Sequence, residues 1–314
     1  MNKIALAIHG GAGTILKSEM TDALENEYRN GLENALQKGW EILQKNGSAL
    51  DAVEASVIEL ENFPLFNAGK GAVFTHEGKN EMDAAIMDGK TLKAGAVAFV
   101  RNVKNPIKLA RLVMKKTEHI LLAGDGANEF AKQMQVEFET DDYFFTEHRY
   151  QQLLKAKEEN VIQLDHSSNP KSKIQNPKSL GTVGAVACDI NGNVAAATST
   201  GGMTNKKFGR IGDTPIIGAG TYAENATCAV SCTGHGEFFM LGVSAYDVSA
   251  RMKYKGLNLA EATQETIEYL TNIGGEGGLI AVDALGNVAL PFNCEGMYRG
   301  FMTADGEIKV EIYK

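Results

Sequence analysis

Cysteine, proline and long apolar runs are all scarce in this sequence, and each scarcity excludes a class of protein. Four cysteines among 314 residues are too few for a disulfide-stapled secreted domain, and they are typical of a reduced compartment. Cys228 and Cys232 lie four positions apart in an apolar segment, which is not the spacing of zinc ligands. We therefore expect these two, together with Cys188 and Cys294, to be small buried hydrophobic residues.

No stretch of the chain approaches the roughly 18 consecutive apolar residues of a transmembrane helix. The first residues also lack the pattern of a secretory signal peptide. Only 6 prolines are present, so rigid linkers between domains are not expected. These features predict a cytoplasmic protein without a membrane anchor.

Positive charge is also limited: the sequence has 31 lysines and arginines and 39 aspartates and glutamates, which gives a net charge of −8. Such a balance disfavours binding to nucleic acid or to acidic membranes. The glycines of the segment His9–Gly13 do not have the spacing of a dinucleotide fingerprint, and neither a Walker sequence nor a G-x-S-x-G motif occurs. We therefore expect no organic cofactor. We interpret the segment His9–Gly13 as a tight structural turn under the active site.

Strand and helix patterns alternate along the chain without a regular βαβ rhythm, which predicts an α+β fold. Helical apolar spacing, with capping residues at some of the starts, predicts helices over residues 21–45, 49–60, 107–116, 128–134, 147–160, 237–253 and 259–270. Alternating or continuous apolar runs predict strands over 4–8, 72–75, 81–87, 94–100, 120–123, 182–189, 193–200, 228–232, 277–282 and 288–291. An Asn-Gly turn at Asn191 joins strands 182–189 and 193–200, and this hairpin should bring Thr200 near Thr182.

The bond between Gly181 and Thr182 separates a polar segment from an apolar strand. Residues 161–181 form a polar tether with two Asn-Pro pairs, and such a composition predicts a mobile segment. Cleavage after Gly181 would leave Thr182 with a hydroxyl nucleophile and a free α-amine on one residue. An α-amine titrates at about 7.7–8.0, so part of it is neutral near pH 7 and can act as a base. On its own, a Gly-Thr pair would more often simply begin a strand.

Two further segments carry groups that suit an amino-acid substrate. Arg210 and Asp213 lie three positions apart in a loop, and together they could hold the carboxylate and the amine of an amino acid. The alternative is an ordinary surface ion pair. The turn that begins at Thr233 and Gly234 can offer a hydroxyl and a backbone N–H to an oxyanion. His235 follows in the same turn, but alone it is unconvincing as a base or a ligand.

An apolar segment broken by proline and glycine, residues 60–71, predicts an ordered loop. Its backbone carbonyls need partners, and a bound cation is one way to provide them.

Six motifs occur in a fixed order along nearly the whole chain: H-G-G-A-G, L-F-N-A-G-K-G, G-T-V-G-A-V-A, T-S-T-G-G-M-T-N-K, G-R-I-G-D and S-C-T-G-H-G-E. In this combination the sequence resembles the plant-type asparaginase/isoaspartyl peptidase family of N-terminal nucleophile hydrolases. The resemblance implies a four-layer αββα sandwich and an amidohydrolase that acts on L-asparagine and β-aspartyl dipeptides. It also implies self-cleavage into an α subunit, residues 1–181, and a β subunit, residues 182–314, which assemble as (αβ)₂.

The resemblance also assigns roles to residues. Thr182 is the nucleophile, its freed amine is the base, and Thr200 orients it. Arg210 holds the substrate carboxylate and Asp213 its amine, Thr233 and Gly234 form the oxyanion hole, His235 and Gly236 line the pocket, and Asn67 lies beneath the active site. A structural sodium ion is implied, bound by the main-chain carbonyls of Leu60, Glu61, Phe63, Phe66, Ala68 and Lys70.

Two other functions fit the same residues. A glycosylasparaginase would use this mechanism on a glycosylated asparagine, although the absence of a secretory signal and of a disulfide pattern argues against it. A non-catalytic module would bind an amino acid through Arg210 and Asp213 without cleaving it, and its chain would stay intact.

Overall fold

The computed structural model describes residues 4–159 and 181–314. The strands in these ranges are β1 (Ala5–Gly13), β2 (Met82–Asp88), β3 (Ala94–Val100), β4 (Leu121–Ala123), β5 (Thr182–Cys188), β6 (Val194–Thr200), β7 (Thr221–Ala223), β8 (Cys228–Gly234), β9 (Gly277–Asp283), β10 (Val288–Ala289), β11 (Gly296–Thr303) and β12 (Ile308–Tyr313). The helices are α1 (Asp22–Gln44), α2 (Ala49–Asn62), α3 (Pro106–Lys116), α4 (Gly124–Gln133), α5 (Asp141–Phe144), α6 (Glu147–Glu158), α7 (Gly236–Gly242), α8 (Ser244–Lys255) and α9 (Leu259–Asn272). The predicted tether falls on residues 161–181, all but the last of which lie outside the described residues. Across both described ranges, none of the helices combines the length and the apolar character needed to cross a bilayer.

The strands form two sheets. Eight strands pair in the order β12-β11-β1-β5-β6-β2-β3-β4, and four pair in the order β10-β9-β8-β7. All pairings are antiparallel except that of β3 with β4. The hairpin β5-β6 therefore lies in the middle of the larger sheet, where both of its edges are covered.

Alternation along β5 shows how the layers pack. Val183 and Ala185 belong to a core cluster that they share with α1 and α2. Val186 and Cys188, whose side chains point the other way, belong to a cluster formed with residues of the smaller sheet. A third cluster joins β8 and β9 to α8 and α9. Residues of the two sheets therefore pack against one another, and residues of each sheet also pack against helices.

Several helices begin at the residues whose side chains predict a cap. Thr21 accepts a hydrogen bond from the backbone N–H of Leu24, and Ser48 accepts one from Asp51. Asn258 and Glu261 form a reciprocal capping box at the start of α9. Each side chain satisfies a backbone donor that has no partner inside the helix, and the predicted starts of these three helices agree with the observed ones to within one residue. The helix predicted over 128–134 begins earlier, at Gly124.

The turn of the central hairpin sets its register. The Asp189 carboxylate accepts hydrogen bonds from the backbone N–H groups of Asn191 and Asn193, at 2.9 and 3.1 Å. Gly192 has a φ of 74°, which glycine adopts without a steric penalty. The resulting ladder pairs Thr182 directly with Thr200 at the far end of the hairpin.

Three predictions of secondary structure are wrong. The segment His9–Gly13 is not a turn, because β1 continues through it to Gly13 with a bulge between His9 and Gly11. Residues 72–75 form only an isolated bridge between Phe74 and Asn80. The helix predicted over 237–253 is two helices, separated at Val243, whose φ of 46° ends the first one.

The prediction also omitted β7 and the pair β11 and β12. β11 has the alternating burial of a strand, yet its apolar residues are interrupted by Gly296, Arg299 and Gly300. Its pairing with β1 covers nearly 300 residues of sequence separation, and no local pattern signals such a contact.

Candidate active site

The hydroxyls of Thr182 and Thr200 lie together at the end of the central hairpin. Thr182 Oγ1 donates to Thr200 Oγ1 at 3.2 Å, and both residues are buried. Thr200 Oγ1 also accepts a hydrogen bond from the N–H of Gly202 at 3.0 Å and lies 3.4 Å from the Gly181 carbonyl oxygen, to which it can donate. The Thr200 hydroxyl thus contacts both Thr182, the candidate nucleophile, and the Gly181 carbonyl group that Thr182 would attack.

A third polar residue, Asp83, lies next to Thr200 on the neighbouring strand of the same sheet. Asp83 on β2 pairs directly with Thr200, so its side chain lies on the same face of the sheet. Asp83 Oδ1 accepts a hydrogen bond from the Phe99 N–H at 2.8 Å, whereas Oδ2 has no partner among the described residues. Burial raises the pKa of Asp83, and the nearby charge of Lys206 opposes that rise.

Thr233 and Gly234 end strand β8 of the facing sheet. Thr233 is fully buried, and its hydroxyl has no hydrogen-bond partner in the part of the chain that the structure describes. A buried hydroxyl without a partner is unfavourable, so this one is available to a ligand. At Gly234 a Cβ atom would lie 2.5 Å from the Glu276 carbonyl oxygen, so only glycine permits the close approach of β9.

The side chain of Arg210 binds Glu237 and not Asp213 among the described residues. Its Nε and one Nη each donate to a carboxylate oxygen of Glu237 at 2.9 Å. Burial alone would raise the pKa of Glu237, but the hydrogen bonds and charge of Arg210 outweigh it and lower that pKa. The arginine is therefore held in a bidentate geometry suited to carboxylates. Glu237 was not anticipated from the sequence, although it follows the G-H-G segment directly.

The side chain of Asp213 lies close to Arg210 and is deeply buried. Burial raises its pKa to about 7, against the opposing charge of Arg210, and its Oδ2 atom has no partner among the described residues. Gly236 packs on both groups: a Cβ there would lie 2.7 Å from Asp213 Oδ1 and 3.0 Å from an Arg210 Nη. A side chain at position 236 would fill the space between the two charges.

The structure places His235 at the edge of this group. Its Nε2 lies 3.4 Å from the Glu237 carboxylate, and its ring packs edge-on against Phe238 at 4.7 Å between ring centres. Burial lowers the pKa of His235, so the ring is neutral at physiological pH.

Asn67 supports the turn that follows Thr200. Its Nδ2 donates to the Gly202 carbonyl at 2.8 Å, its Oδ1 accepts from the Val73 N–H, and its own carbonyl accepts from the Gly201 N–H. Since Gly202 in turn donates to Thr200, Asn67 acts on the threonine pair through the backbone of this turn.

The loop over residues 60–70 has features that fit a cation. A Cβ at Gly69 would lie 2.3 Å from the Glu61 carbonyl oxygen, and one at Gly71 would lie 2.0 Å from the Phe66 carbonyl oxygen, so each glycine permits the close approach of a carbonyl group. Burial raises the pKa of the Glu61 carboxyl group to about 8, and its Oε2 atom has no partner in the described chain. The buried guanidinium of Arg149 satisfies two other carbonyls, those of Leu65 and Gly71.

His9 is a further functional candidate, in the H-G-G-A-G segment whose glycines predict a structural turn. The histidine is fully buried and its Nδ1 lies 2.8 Å from the carbonyl oxygen of Thr182. Asp83 is a further candidate that is not among the predicted site residues. A charged residue inside a strongly apolar segment, as Asp83 is between Met82 and Ala84, is the signal that could have identified it.

Comparison with known proteins identifies relatives along the whole chain. The model of a family described as Asparaginase matches residues 2–312. An isoaspartyl peptidase of Salmonella typhimurium is 51% identical over 315 residues, which cover 100% of both chains. A probable isoaspartyl peptidase/L-asparaginase 2 of Arabidopsis thaliana is 45% identical and covers 99% of each chain. The isoaspartyl peptidase/L-asparaginase of Homo sapiens is 45% identical over 91% of this chain and 89% of its own.

The raised pKa of Asp213 predicts a pH dependence of stability. Its ordinary pKa is 3.8 and its folded value is about 7, so the unfolded chain loses this proton first as pH rises. Wild type should therefore lose stability relative to Asp213→Asn between pH 5 and pH 7, by about 2–3 kcal/mol, with little change above pH 7. Urea denaturation at intervals from pH 5 to pH 8 measures this difference. Asp142→Asn, at an exposed position, is the matched control, and parallel curves for wild type and Asp213→Asn would contradict the prediction.

Proposed function

Since the chain belongs to the asparaginase family, we propose that it is a self-processing amidohydrolase that hydrolyses L-asparagine and removes N-terminal β-aspartyl residues from dipeptides. The observation that carries the proposal is the contact of the Thr200 hydroxyl with both Thr182 Oγ1 and the Gly181 carbonyl. The names of the relatives favour this activity over a glycosylasparaginase or a non-catalytic binding module.

Self-processing begins at the bond between Gly181 and Thr182. Thr182 Oγ1 attacks the Gly181 carbonyl carbon, and Thr200, which can donate to that carbonyl oxygen, favours the charge that develops on it. The peptide C–N bond breaks, the threonine nitrogen takes the hydroxyl proton, and an ester joins Gly181 to Thr182 Oγ1. Water then hydrolyses the ester to a Gly181 carboxylate and a free Thr182 hydroxyl and amine.

The same hydroxyl then serves the substrate. The neutral α-amine of Thr182 accepts the hydroxyl proton as Oγ1 attacks the side-chain carbonyl carbon of asparagine or of a β-aspartyl residue. The developing oxyanion is stabilised by Thr233 and Gly234, a role supported by the unpartnered buried hydroxyl of Thr233. Ammonia or the second amino acid leaves with a proton, and water hydrolyses the resulting ester to aspartate.

Arg210 and Asp213 position the substrate through its α-carboxylate and α-ammonium groups. Glu237 occupies one edge of the guanidinium, and the remaining N–H groups of Arg210, for which the described ranges offer no partner, would hold the substrate carboxylate. Asp213 must be ionised to pair with the ammonium, and a bound ammonium would itself lower the pKa that burial raises. Gly236 keeps the space between these two charges open, and His235 lines its edge.

The larger assembly follows from the same proposal. We infer a four-layer αββα sandwich, supported by the three core clusters, in which residues 1–181 and 182–314 share one domain after cleavage and pair as (αβ)₂. The four cysteines are free and buried, which fits the expected reduced cytoplasmic setting.

A structural sodium ion completes the proposal. The carbonyl groups of Glu61 and Phe66, each close to a glycine, fit a hard cation in the loop over residues 60–70. The carbonyls of Leu60, Phe63, Ala68 and Lys70 would supply the remaining ligands. The ion would contribute only positive charge that stabilises the loop, and with it the position of Asn67.

Mass spectrometry of the purified protein tests self-processing. Wild type should yield two chains that separate after Gly181, and Thr182→Ser should do the same more slowly. Thr182→Ala should remain one chain, because it has no hydroxyl to attack the carbonyl. The matched control is Thr227→Ala, which removes another buried threonine hydroxyl away from the site and should leave cleavage intact. Efficient cleavage of Thr182→Ala at the same bond would refute the mechanism.

Substrate choice tests the clamp of Arg210 and Asp213. An α-peptide ties up the α-carboxylate that Arg210 would hold, so β-Asp-Leu and asparagine should be cleaved and α-Asp-Leu should not. Glutamine should be poor, because one extra methylene displaces its carbonyl, and about 1 Å of misplacement costs on the order of 100-fold. Arg210→Lys should lose most of kcat/KM yet still self-cleave. Arg251→Lys serves as the control, and equal turnover of the α- and β-aspartyl dipeptides would exclude the clamp.

Cation exchange tests the sodium site. Replacing sodium chloride with tetramethylammonium chloride at equal ionic strength should lower the melting temperature, because the large cation cannot fit among the carbonyls. Gly71→Ala, whose Cβ would displace the Phe66 carbonyl group, should melt lower and respond less to the exchange. Identical melting temperatures of wild type in the two salts would argue against the ion.

A further inference from the structure

A chain of hydrogen bonds joins the two sheets at the candidate active site. His9 Nδ1 lies 2.8 Å from the Thr182 carbonyl oxygen, and its Nε2 lies 2.8 Å from Ser231 Oγ on β8 of the facing sheet. Ser231 Oγ lies 2.7 Å from Thr198 Oγ1, which lies 2.7 Å from Thr221 Oγ1. All five residues are buried.

The partners determine where each proton lies. A carbonyl oxygen can only accept, so His9 Nδ1 must carry the hydrogen that it shares with Thr182. Burial lowers the pKa of His9 to about 3, so the ring is neutral and its Nε2 must accept the hydrogen of Ser231. Thr198 then donates to Ser231, and Thr221 to Thr198. Every hydrogen bond in this chain therefore runs from donor to acceptor in the direction of Thr182, the candidate nucleophile.

The backbone makes room for this arrangement. The ladder between β1 and β5 ends at the pair of His9 and Gly184, so Thr182, two positions earlier in the chain than Gly184, has no partner on β1; β1 bulges just after His9. The His9 side chain therefore supplies the donor to Thr182 beyond the last pair of that ladder. At Gly184 a Cβ would lie 2.0 Å from Ser231 Oγ and 2.5 Å from His9 Nε2, so any larger residue would break the link.

We propose that His9 is a positioning residue: held by Ser231, it fixes the carbonyl of Thr182 and thereby the placement of the nucleophile relative to the facing sheet. The proposal rests on the proposed role of Thr182. Its consequence is largest after cleavage, when Thr182 becomes a chain end that the preceding residues no longer hold. Rotation of that residue would move both Oγ1 and the α-amine, and small displacements of a nucleophile strongly reduce rate.

The position of Ser231 gives this link a second effect. Ser231 and Thr233 are two positions apart on β8, so both side chains lie on the face that meets the larger sheet. The hydrogen bonds of His9 thus connect the strand of the nucleophile to the strand of the proposed oxyanion hole. They set the distance between attacking atom and oxyanion donor, while the clamp around Arg210 is untouched.

Three variants test the proposal. His9→Asn places an amide nitrogen near the position of Nδ1 and keeps a donor for Thr182. His9→Gln places its amide nearer the position of Nε2 and loses that donor. Ser231→Ala removes the hydrogen that holds the ring. The matched control is Ser249→Ala, which removes a buried serine hydroxyl that contacts Thr227 in another core.

The measurements are kcat per cleaved chain, KM for asparagine, the self-cleavage rate and the melting temperature. We expect His9→Gln to lower kcat by roughly 10- to 100-fold with KM within about twofold of wild type, and Ser231→Ala to lower it about tenfold. His9→Asn should recover part of the loss, and Ser249→Ala should retain kcat. A folded His9→Gln that fails to cleave itself also supports the proposal, because Thr182 is then misplaced in the uncut chain. Wild-type kcat per cleaved chain in His9→Gln, whatever its melting temperature, would overturn it.

Nitrogen NMR of the imidazole gives a readout that a purely structural role would not move. In wild type the ring of His9 should remain the neutral Nδ1–H tautomer from pH 5 to pH 8, and Ser231→Ala should lose this fixed tautomer. A charged ring or the Nε2–H tautomer in wild type would overturn the inferred direction. If wild type neither self-cleaves nor hydrolyses asparagine, the proposed function fails; if it does both and the His9 and Ser231 variants match it, only the positioning role fails.

Discussion

The register of the central hairpin is the constraint on which the candidate site depends. It pairs Thr182 with Thr200 and, across the next strand, Thr200 with Asp83. A slip of one residue would place Ser199, which points to the helices and binds Glu61, opposite Thr182. The buried position of both strands and the Asp189 hydrogen bonds in the turn prevent that slip.

The space between the two sheets contains polar groups at one end and apolar residues elsewhere. Small side chains such as Ala5, Ala7 and Ala196 fill the apolar part. At the other end lie Asp83 and Thr233, each with a buried oxygen that has no partner in the described ranges. Unsatisfied buried polar atoms destabilise a folded chain, and proteins tend to retain them where function requires them. Asp83 pairs with Thr200, the ladder partner of Thr182, so its carboxyl group lies on the strand next to the hairpin of the candidate nucleophile.

Three glycines of the sequence motifs act by making room. Gly184 leaves space for the contact of His9 with Ser231, Gly236 for the groups of Arg210 and Asp213, and Gly234 for the backbone of β9. The motif H-G-G-A-G was interpreted as a turn because glycine clusters commonly mark turns. The structure instead shows a bulged strand, in which Gly10 lies against the Phe66 ring and His9 faces the other sheet.

Local features of the sequence determined much of the architecture. Caps and apolar spacing located the main helices, the Asn-Gly pair located the central hairpin, and that hairpin alone was enough to bring Thr182 to Thr200. These predictions succeed because the interactions behind them lie within a few residues or across one turn.

Contacts between distant segments were decided only by the tertiary structure. The choice of Glu237 as the partner of Arg210, 27 positions away, and the contact of His9 with Ser231, 222 positions away, follow from how the sheets and their loops pack. The sequence supplied the polar side chains and the glycines that make room for them. No local pattern encodes an interaction across such a separation. The packing of the two sheets, which carry residues from opposite ends of the chain, therefore decided which polar side chains came into contact.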